Sequence, residues 1–315
     1  DKKRLSSYRK IMEKSFSRAL AQSALNEREQ KSLSGGTMRK ITILIVLCTI
    51  FNCAYAQLPP SPQTLERSEC IDSTLVELMY TFKFKLNRNS KYSEDIRKVQ
   101  IGKKYAKDFS FVVFYYDSIA TERMKKGLQS LNIPSQTYPC EIMTDINTHS
   151  ISEKYRLMLN AGVLCYNSSV KPYEWQYSDA DTLTIAGHLC YKANTFFAGR
   201  HYRAWYATDV PVTYGPYKFY GLPGIIMKIE EENGLFVWEL NKVEFVKKPI
   251  YVYKYENEQE CTESKAKQII RKMMTSPISF LQSVGTKMMV KRGDGSFGAP
   301  SNNNEQQSYE PLEIE

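Results

Sequence analysis

The sequence predicts a mainly β fold, a curved antiparallel sheet carrying one or two short packing helices. Three observations lead there. Apolar residues recur at period two in segment after segment, the segments are separated by short clusters of Asn, Gly, Pro and Ser, and no regular helices alternate with them as a parallel sheet would require.

The elements are taken in chain order. After a proline-rich lead-in, LPPSPQTLER, the run STLVELMYTFKFKLN sends Val76, Leu78, Tyr80, Phe82, Phe84 and Leu86 one way and Glu77, Thr81, Lys83 and Lys85 the other, the pattern of a half-buried strand. DFSFVVFYYDS, residues 108–118, is rich in β-formers and reads as a second strand, and residues 119–131 as a short helix ended near Pro134. Short strands are expected around YRLMLN, GVLCYN and YEWQY. LCYKANTFFAGRHYRAWYATDVPV gives two aromatic strands joined at Ala198-Gly199-Arg200.

IIMKIEEENGLFVWEL places Asn233-Gly234 between two apolar runs and predicts a hairpin with a type I′ turn. VEFVKKPIYVYKYE alternates again, and residues 263–277 show Ile269, Ile270, Met273 and Met274 at helical spacing with Pro277 as the stop. One β domain is expected over residues 57–290, with a polar tail at 291–315 that stays mobile until its last residues.

From Met38 the sequence reads MRKITILIVLCTIFNCAYAQ, a basic start, a short apolar run and small residues ending at Ala56, which is the pattern of a secretory signal. Residues 38–56 are therefore expected to be removed, and residues 1–37 to be an upstream extension outside the folded protein. Residues 1–56 carry eleven of the 43 Lys and Arg but four of the 34 Asp and Glu, so residues 57–315 have a net charge of about +2 against +9 for the whole sequence. A nucleic-acid partner loses its electrostatic basis, and no transmembrane span is expected to remain. Five cysteines lie beyond Ala56: Cys70, Cys140, Cys165, Cys190 and Cys261. An odd, dispersed set without C-x-x-C indicates neither a zinc ribbon nor a redox pair.

The stretch GPYKFYGLPGII, residues 215–226, raises the question of a phosphate loop. It lacks both the helix and the Lys-Ser/Thr pair that such a loop needs, so no nucleotide or other cofactor is expected. The motif residues Gly215, Pro216, Gly221, Leu222, Pro223 and Gly224 read as a structural corner. Pro223 presets φ and Gly224 supplies the positive φ of a type II turn, Gly221 allows close backbone approach, and Tyr217, Phe219 and Tyr220 anchor the corner.

His188, Cys190 and His201 could act as nucleophile and base or bind a metal, but neither a fourth ligand nor a hydrolase motif accompanies them, so no catalytic or metal residues are assigned. Arg200, Tyr202, Trp205, Tyr206 and Tyr217 could line a site for a ligand, against the alternative that these aromatics fill the core.

CYKANTFFAGRHYRAWYATDVPVTYGPYKFYGLPGIIMKIEE resembles the signature of the GLPGLI family, exported proteins of Bacteroidota. IGKKYAKDFSFVVFYYDS is similar to that family's upstream block and SYEPLEIE to its closing pattern, with Ile225-Ile226 in place of Leu-Ile and Glu310 in place of Asn. The resemblance covers most of residues 70–315. It carries no established activity and no catalytic residues to transfer. It implies an envelope protein, periplasmic or outer-membrane associated, that serves as a binding or accessory module for a lipophilic ligand or for an outer-membrane uptake system of the TonB-dependent kind. By fold analogy it implies a half-barrel like that of LolA-type lipoprotein carriers. A hydrolase or metal-dependent enzyme using Cys190 with His188 and His201, or a purely structural assembly partner, are the alternatives.

Overall fold

The structure, a computed structural model, describes residues 58–169, 174–286, 290–291, 296–298 and 306–314. The expected leader at 38–56 and the extension at 1–37 lie outside the described residues. The strands are β1 (Ser68–Ser73), β2 (Val76–Phe84), β3 (Ser93–Ile101), β4 (Tyr105–Ser110), β5 (Cys140–Asp145), β6 (Ser150–Arg156), β7 (Val163–Ser169), β8 (Gln176–Ile185), β9 (His188–Phe197), β10 (Arg200–Ala207), β11 (Ile225–Glu231), β12 (Phe236–Glu244), β13 (Pro249–Tyr253), β14 (Glu258–Glu260), β15 (Val290–Lys291) and β16 (Phe297–Gly298). The described helices are α1 (Phe111–Lys125), α2 (Glu263–Thr275) and α3 (Pro277–Ser283), one more than the sequence predicts.

Twelve strands form one open sheet in the order β14-β7-β6-β5-β4-β3-β2-β12-β11-β10-β9-β8, antiparallel except at the pair β14–β7. The mainly β, antiparallel expectation is met. The sheet consists of two meanders, β2 to β7 and β8 to β12, sewn together where β2 pairs with β12. That seam joins residues as far apart in sequence as Lys83 and Glu239, whose side chains meet at 2.8 Å. The sheet's two edges are blunted differently. β14 is three exposed residues, Glu-Gln-Glu, while β8 carries a register shift between Ser178 and Thr182, and both devices discourage edge-to-edge pairing.

β2 shows why alternation identified it. Val76, Leu78, Tyr80, Phe82 and Phe84 are all buried in the main core, where Phe82 stacks on Trp238 of β12 at 4.3 Å between ring centroids. Its other face is also covered: Glu77 is buried and pairs with Lys98 and Lys248. The turn at Ala198-Gly199 has positive φ at both residues, 47° and 80°, as a two-residue I′ hairpin demands.

Three expectations are corrected. The β-rich segment 108–118 does not remain a strand, because at Ser110 the chain enters α1. The Ser110 side chain accepts a hydrogen bond from the Val113 N–H as an N-cap, and burial of Val113, Tyr116 and Ala120 outweighs the β preference of FVVFYY. The β11–β12 hairpin exists, but its turn is not type I′. Gly234 alone has positive φ, and the Glu231 carboxylate, accepting from the N–H groups of Asn233 and Leu235, shapes a longer loop.

Within the GLPG corner the two glycines exchange roles. Gly221 has φ +90°, while Gly224 has ordinary φ and lies so close to Ala207 that a Cβ would sit on its carbonyl group. The last stretch of the polar tail, residues 306–314, is packed. Leu312 is 2% exposed, Glu310 N–H donates to the Leu86 carbonyl and Ile314 N–H to that of Ala198. Among the described residues no helix is long and apolar enough to cross a membrane.

Candidate functional site

Side chains of β10, of the loop that follows it and of α2 build a groove, and the chain's own residues 306–314 occupy it. Arg200 opens β10 directly after the I′ turn, and alternation puts Tyr202 on the same face. The Arg200 guanidinium, 3% exposed, donates through Nε (3.1 Å) and Nη2 (2.6 Å) to the Pro311 carbonyl and through Nη2 to Glu310 at 3.2 Å. Tyr202 Oη donates to the Leu312 carbonyl at 3.5 Å. From the loop between β10 and β11, Tyr217 Oη and Lys218 Nζ reach Glu313 Oε1 at 2.5 and 2.6 Å, and Lys267 of α2 takes its Oε2 at 3.0 Å.

Lys218 also binds Glu153 of β6 at 2.7 Å, and all three charged side chains are nearly inaccessible to solvent. Glu153 accepts in turn from Ser168 Oγ and Tyr166 Oη. Burial works against the Lys218 ammonium, but Glu153 and Glu313 outweigh it and hold its pKa above the ordinary value.

Tyr217 joins this network to a second one. It stands at φ +58°, unusual for a bulky residue, and its N–H donates to Asp108 Oδ2 at 2.9 Å. The other oxygen of Asp108 binds Arg97, which also donates to the carbonyls of Tyr138 and Cys140 and lies 3.6 Å from Asp95. Burial raises the Asp95 carboxyl to about 6 despite Arg97 nearby. A continuous buried chain of charges thus runs from β3 through the loop to the last described residues.

Glu313 gives this network a pH dependence. Burial raises its pKa, but Lys218, Tyr217 and Lys267 together more than offset this, so in the folded protein it lies below the ordinary 4.5. A carboxylate depressed by folding contributes stability above its unfolded value and loses that contribution as pH falls through the folded one. Thermal melts should therefore show the wild type losing more stability below about pH 4.5 than Glu313→Gln, which starts lower and changes less. Parallel curves for the two proteins would contradict this assignment.

Of the residues the sequence nominates, Arg200, Tyr202 and Tyr217 meet in the groove. Tyr206 is buried farther along β10 against Tyr177 and Tyr191, and Trp205 alternates to the opposite face. Lys218, Glu153 and Glu313 escape sequence reasoning, although Lys218 and Glu313 lie inside two of the three segments that carry the family resemblance.

The three candidate catalytic residues do not assemble. His188 Nδ1 lies 2.6 Å from Asp209 Oδ2, a pairing that could orient an imidazole. Cys190, however, is fully buried, its thiol faces the His188 carbonyl at 3.4 Å, and burial pushes its pKa up, the wrong direction for a nucleophile. His201 pairs with Phe196 while Cys190 pairs with Ala207, six residues and roughly 20 Å apart along β10. All five described cysteines are free thiols, and among the described residues no three His, Cys, Asp or Glu form a group that could hold a metal ion.

Fold and groove together define a class: an open, mainly β protein whose GLPG-bearing segment clasps an acidic stretch of its own chain. Residues 198–228, which hold Arg200, Tyr202, Tyr217 and Lys218, match the family described as "Protein of unknown function (Porph_ging)". Two solved structures of PNGF-II, in different crystal forms, are similar to this chain over 63% of its length at 18% and 16% identity, each with a TM-score of 0.39. The chain spans about a third of those proteins, 33% and 32%, and the likeness is too loose to carry a function. No curated protein matches the chain.

Proposed function

We propose that the protein is an exported, non-enzymatic accessory module of the cell envelope, of GLPGLI type, that works by binding a protein partner. The observation that carries this reading is the fate of the motif's polar side chains. Arg200, Tyr217 and Lys218 are buried and committed to residues 310–313, which leaves them no role toward a substrate. A lipophilic ligand is less well supported, because Tyr202, Tyr206 and Tyr217, which would have lined its site, fill the core. The partner class that the family resemblance implies is an outer-membrane transporter of the TonB-dependent kind, with the periplasm or the outer membrane as the location.

The surface to test first is the β8–β9 hairpin, where Leu183, Leu189 and Phe196 are 45%, 51% and 55% exposed. Single exposed apolar side chains are ordinary, but three large ones on one hairpin at a sheet edge, Leu183 and Phe196 on one face and Leu189 on the other, make this edge the place to begin. Native purification from envelope fractions should bring down an outer-membrane transporter with the wild type. The double variant Leu189→Asp/Phe196→Asp should lose it while its melting temperature stays within a few degrees of wild type. Recovery of the wild-type chain alone, or with bound lipid and no protein, would overturn the reading.

A further inference from the structure

We infer that one end of the large sheet rests on an anionic lipid surface, with Leu75 and Phe245 entering the interface and lysines beside them meeting the headgroups. This deepens the envelope reading above and rests on it.

Three connections meet at that end. The one leading into β2 donates from the Thr74 N–H to the Lys248 carbonyl at 2.8 Å and from the Leu75 N–H to the Ile101 carbonyl at 2.7 Å. It is thereby tied to the β12–β13 connection on one side and to the β3–β4 turn on the other. The Thr74 hydroxyl binds the Val246 carbonyl and accepts from the Lys248 N–H, and Asp72 accepts from the Lys104 N–H at 2.7 Å. The backbone is firmly held, yet two large apolar side chains are left outside. Phe245 is 68% exposed, more than any other large apolar side chain among the described residues, and Leu75 is 53% exposed.

Charge decides what covers them. Lys103, Lys104, Lys242, Lys247 and Lys248 lie in or beside these connections. Lys242 pairs with Glu244 and Lys248 with Glu77, whereas Lys103, Lys104 and Lys247 are exposed and make no ion pair among the described residues. Of the nearby carboxylates, Glu77 is buried, Glu244 is paired, and Asp72 and Asp145 accept backbone N–H groups. A protein partner is the poorer fit, because such interfaces are depleted in Lys, enriched in Arg and bury about 800 Å² on each side around an apolar core. Here lysines and no arginine accompany two apolar side chains on separate turns. An anionic bilayer asks for less: lysines are attracted to its surface without fixed partners, and an aromatic ring is accommodated at headgroup depth.

The test mixes the chain purified from envelope fractions with phosphatidylcholine vesicles that either contain or lack phosphatidylglycerol, and separates bound from free by sedimentation. The expected result is sedimentation with the phosphatidylglycerol vesicles alone, weakening as salt screens the exposed charges. Lys103→Ser/Lys104→Ser/Lys247→Ser and Leu75→Ser/Phe245→Ser should each weaken binding by at least about tenfold, with melting temperatures within a few degrees of wild type. In Phe245→Trp, brominated acyl chains in the same vesicles should quench the added indole fluorescence, which adsorption by charge alone would not do. Equal binding to both kinds of vesicle, binding to neither, or binding kept in both multiple variants overturns the proposal. So does Phe245→Trp fluorescence that brominated lipid leaves unchanged. The vesicles hold no protein, so failure here is separable from loss of the transporter in co-purification.

Discussion

Gly224→Val should abolish folding, with a loss of at least about 4 kcal/mol, a large share of the 5–15 kcal/mol that holds a domain together. The new Cβ would land on the carbonyl of Ala207 and crowd the Cα of Thr208, backbone atoms at the end of β10 that cannot swing aside as a flexible side chain could. The pairing of β10 with β11, which begins one residue after Gly224, would be pushed apart. Gly221→Val should also destabilise, through a different cause: its neighbourhood is open but its φ of +90° is unfavourable for a branched residue. Gly224→Ala separates the two cases. It should nearly match Val at position 224, because the clash begins at Cβ, and a Gly224→Ala protein melting within a few degrees of wild type would contradict the close-approach assignment. Chemical denaturation followed by circular dichroism makes the measurement.

Lys218→Met should cost about 3–5 kcal/mol, because it leaves Glu153 and Glu313 facing each other in the interior without the cation between them. The side chain is of similar length, so a large loss reports charge and not volume. Adding Glu153→Gln to Lys218→Met should recover part of it by removing one of the stranded carboxylates, a non-additivity that independent sites would not give. Arg200→Lys is expected to be milder but still destabilising, since an ammonium cannot reproduce the paired donors that Arg200 directs at Pro311 and Glu310.

The features legible in the sequence were those set by local period and local turn chemistry. β2 announced itself through strict alternation, and the Ala198-Gly199 turn through the tolerance of glycine for positive φ. Segment 108–118 was misread because its β-branched and aromatic residues favour a strand on any local scale. The decisive contacts are the Ser110 cap and the Asp117–Arg156 pair, whose partner lies on β6. The glycine roles in GLPG were exchanged for the same kind of reason: type II turn chemistry is local, whereas the approach to Ala207 depends on strand pairing. The groove was half visible. Arg200, Tyr202 and Tyr217 stood out by type, but Lys218 looked like a surface lysine, and Glu313 sat in a stretch whose composition resembles a solvated tail. Only their meeting across about 95 residues of sequence makes them a buried pair.

The β2–β12 seam and the packed segment at 306–314 also constrain the order in which the chain can mature during synthesis. The first meander can form as it emerges, but its open side at β2 has no neighbour until residue 244 has been made, and Arg200 and Lys218 have only Glu231 and Glu153 until Glu310 and Glu313 are added. A nascent chain therefore spends most of its synthesis unfinished, with the vulnerability to proteolysis that this entails. A molecule that lacked residues 306–314 would keep the strands of its large sheet but leave Arg200 and Lys218 each short of a partner, the kind of defect that quality-control proteases remove.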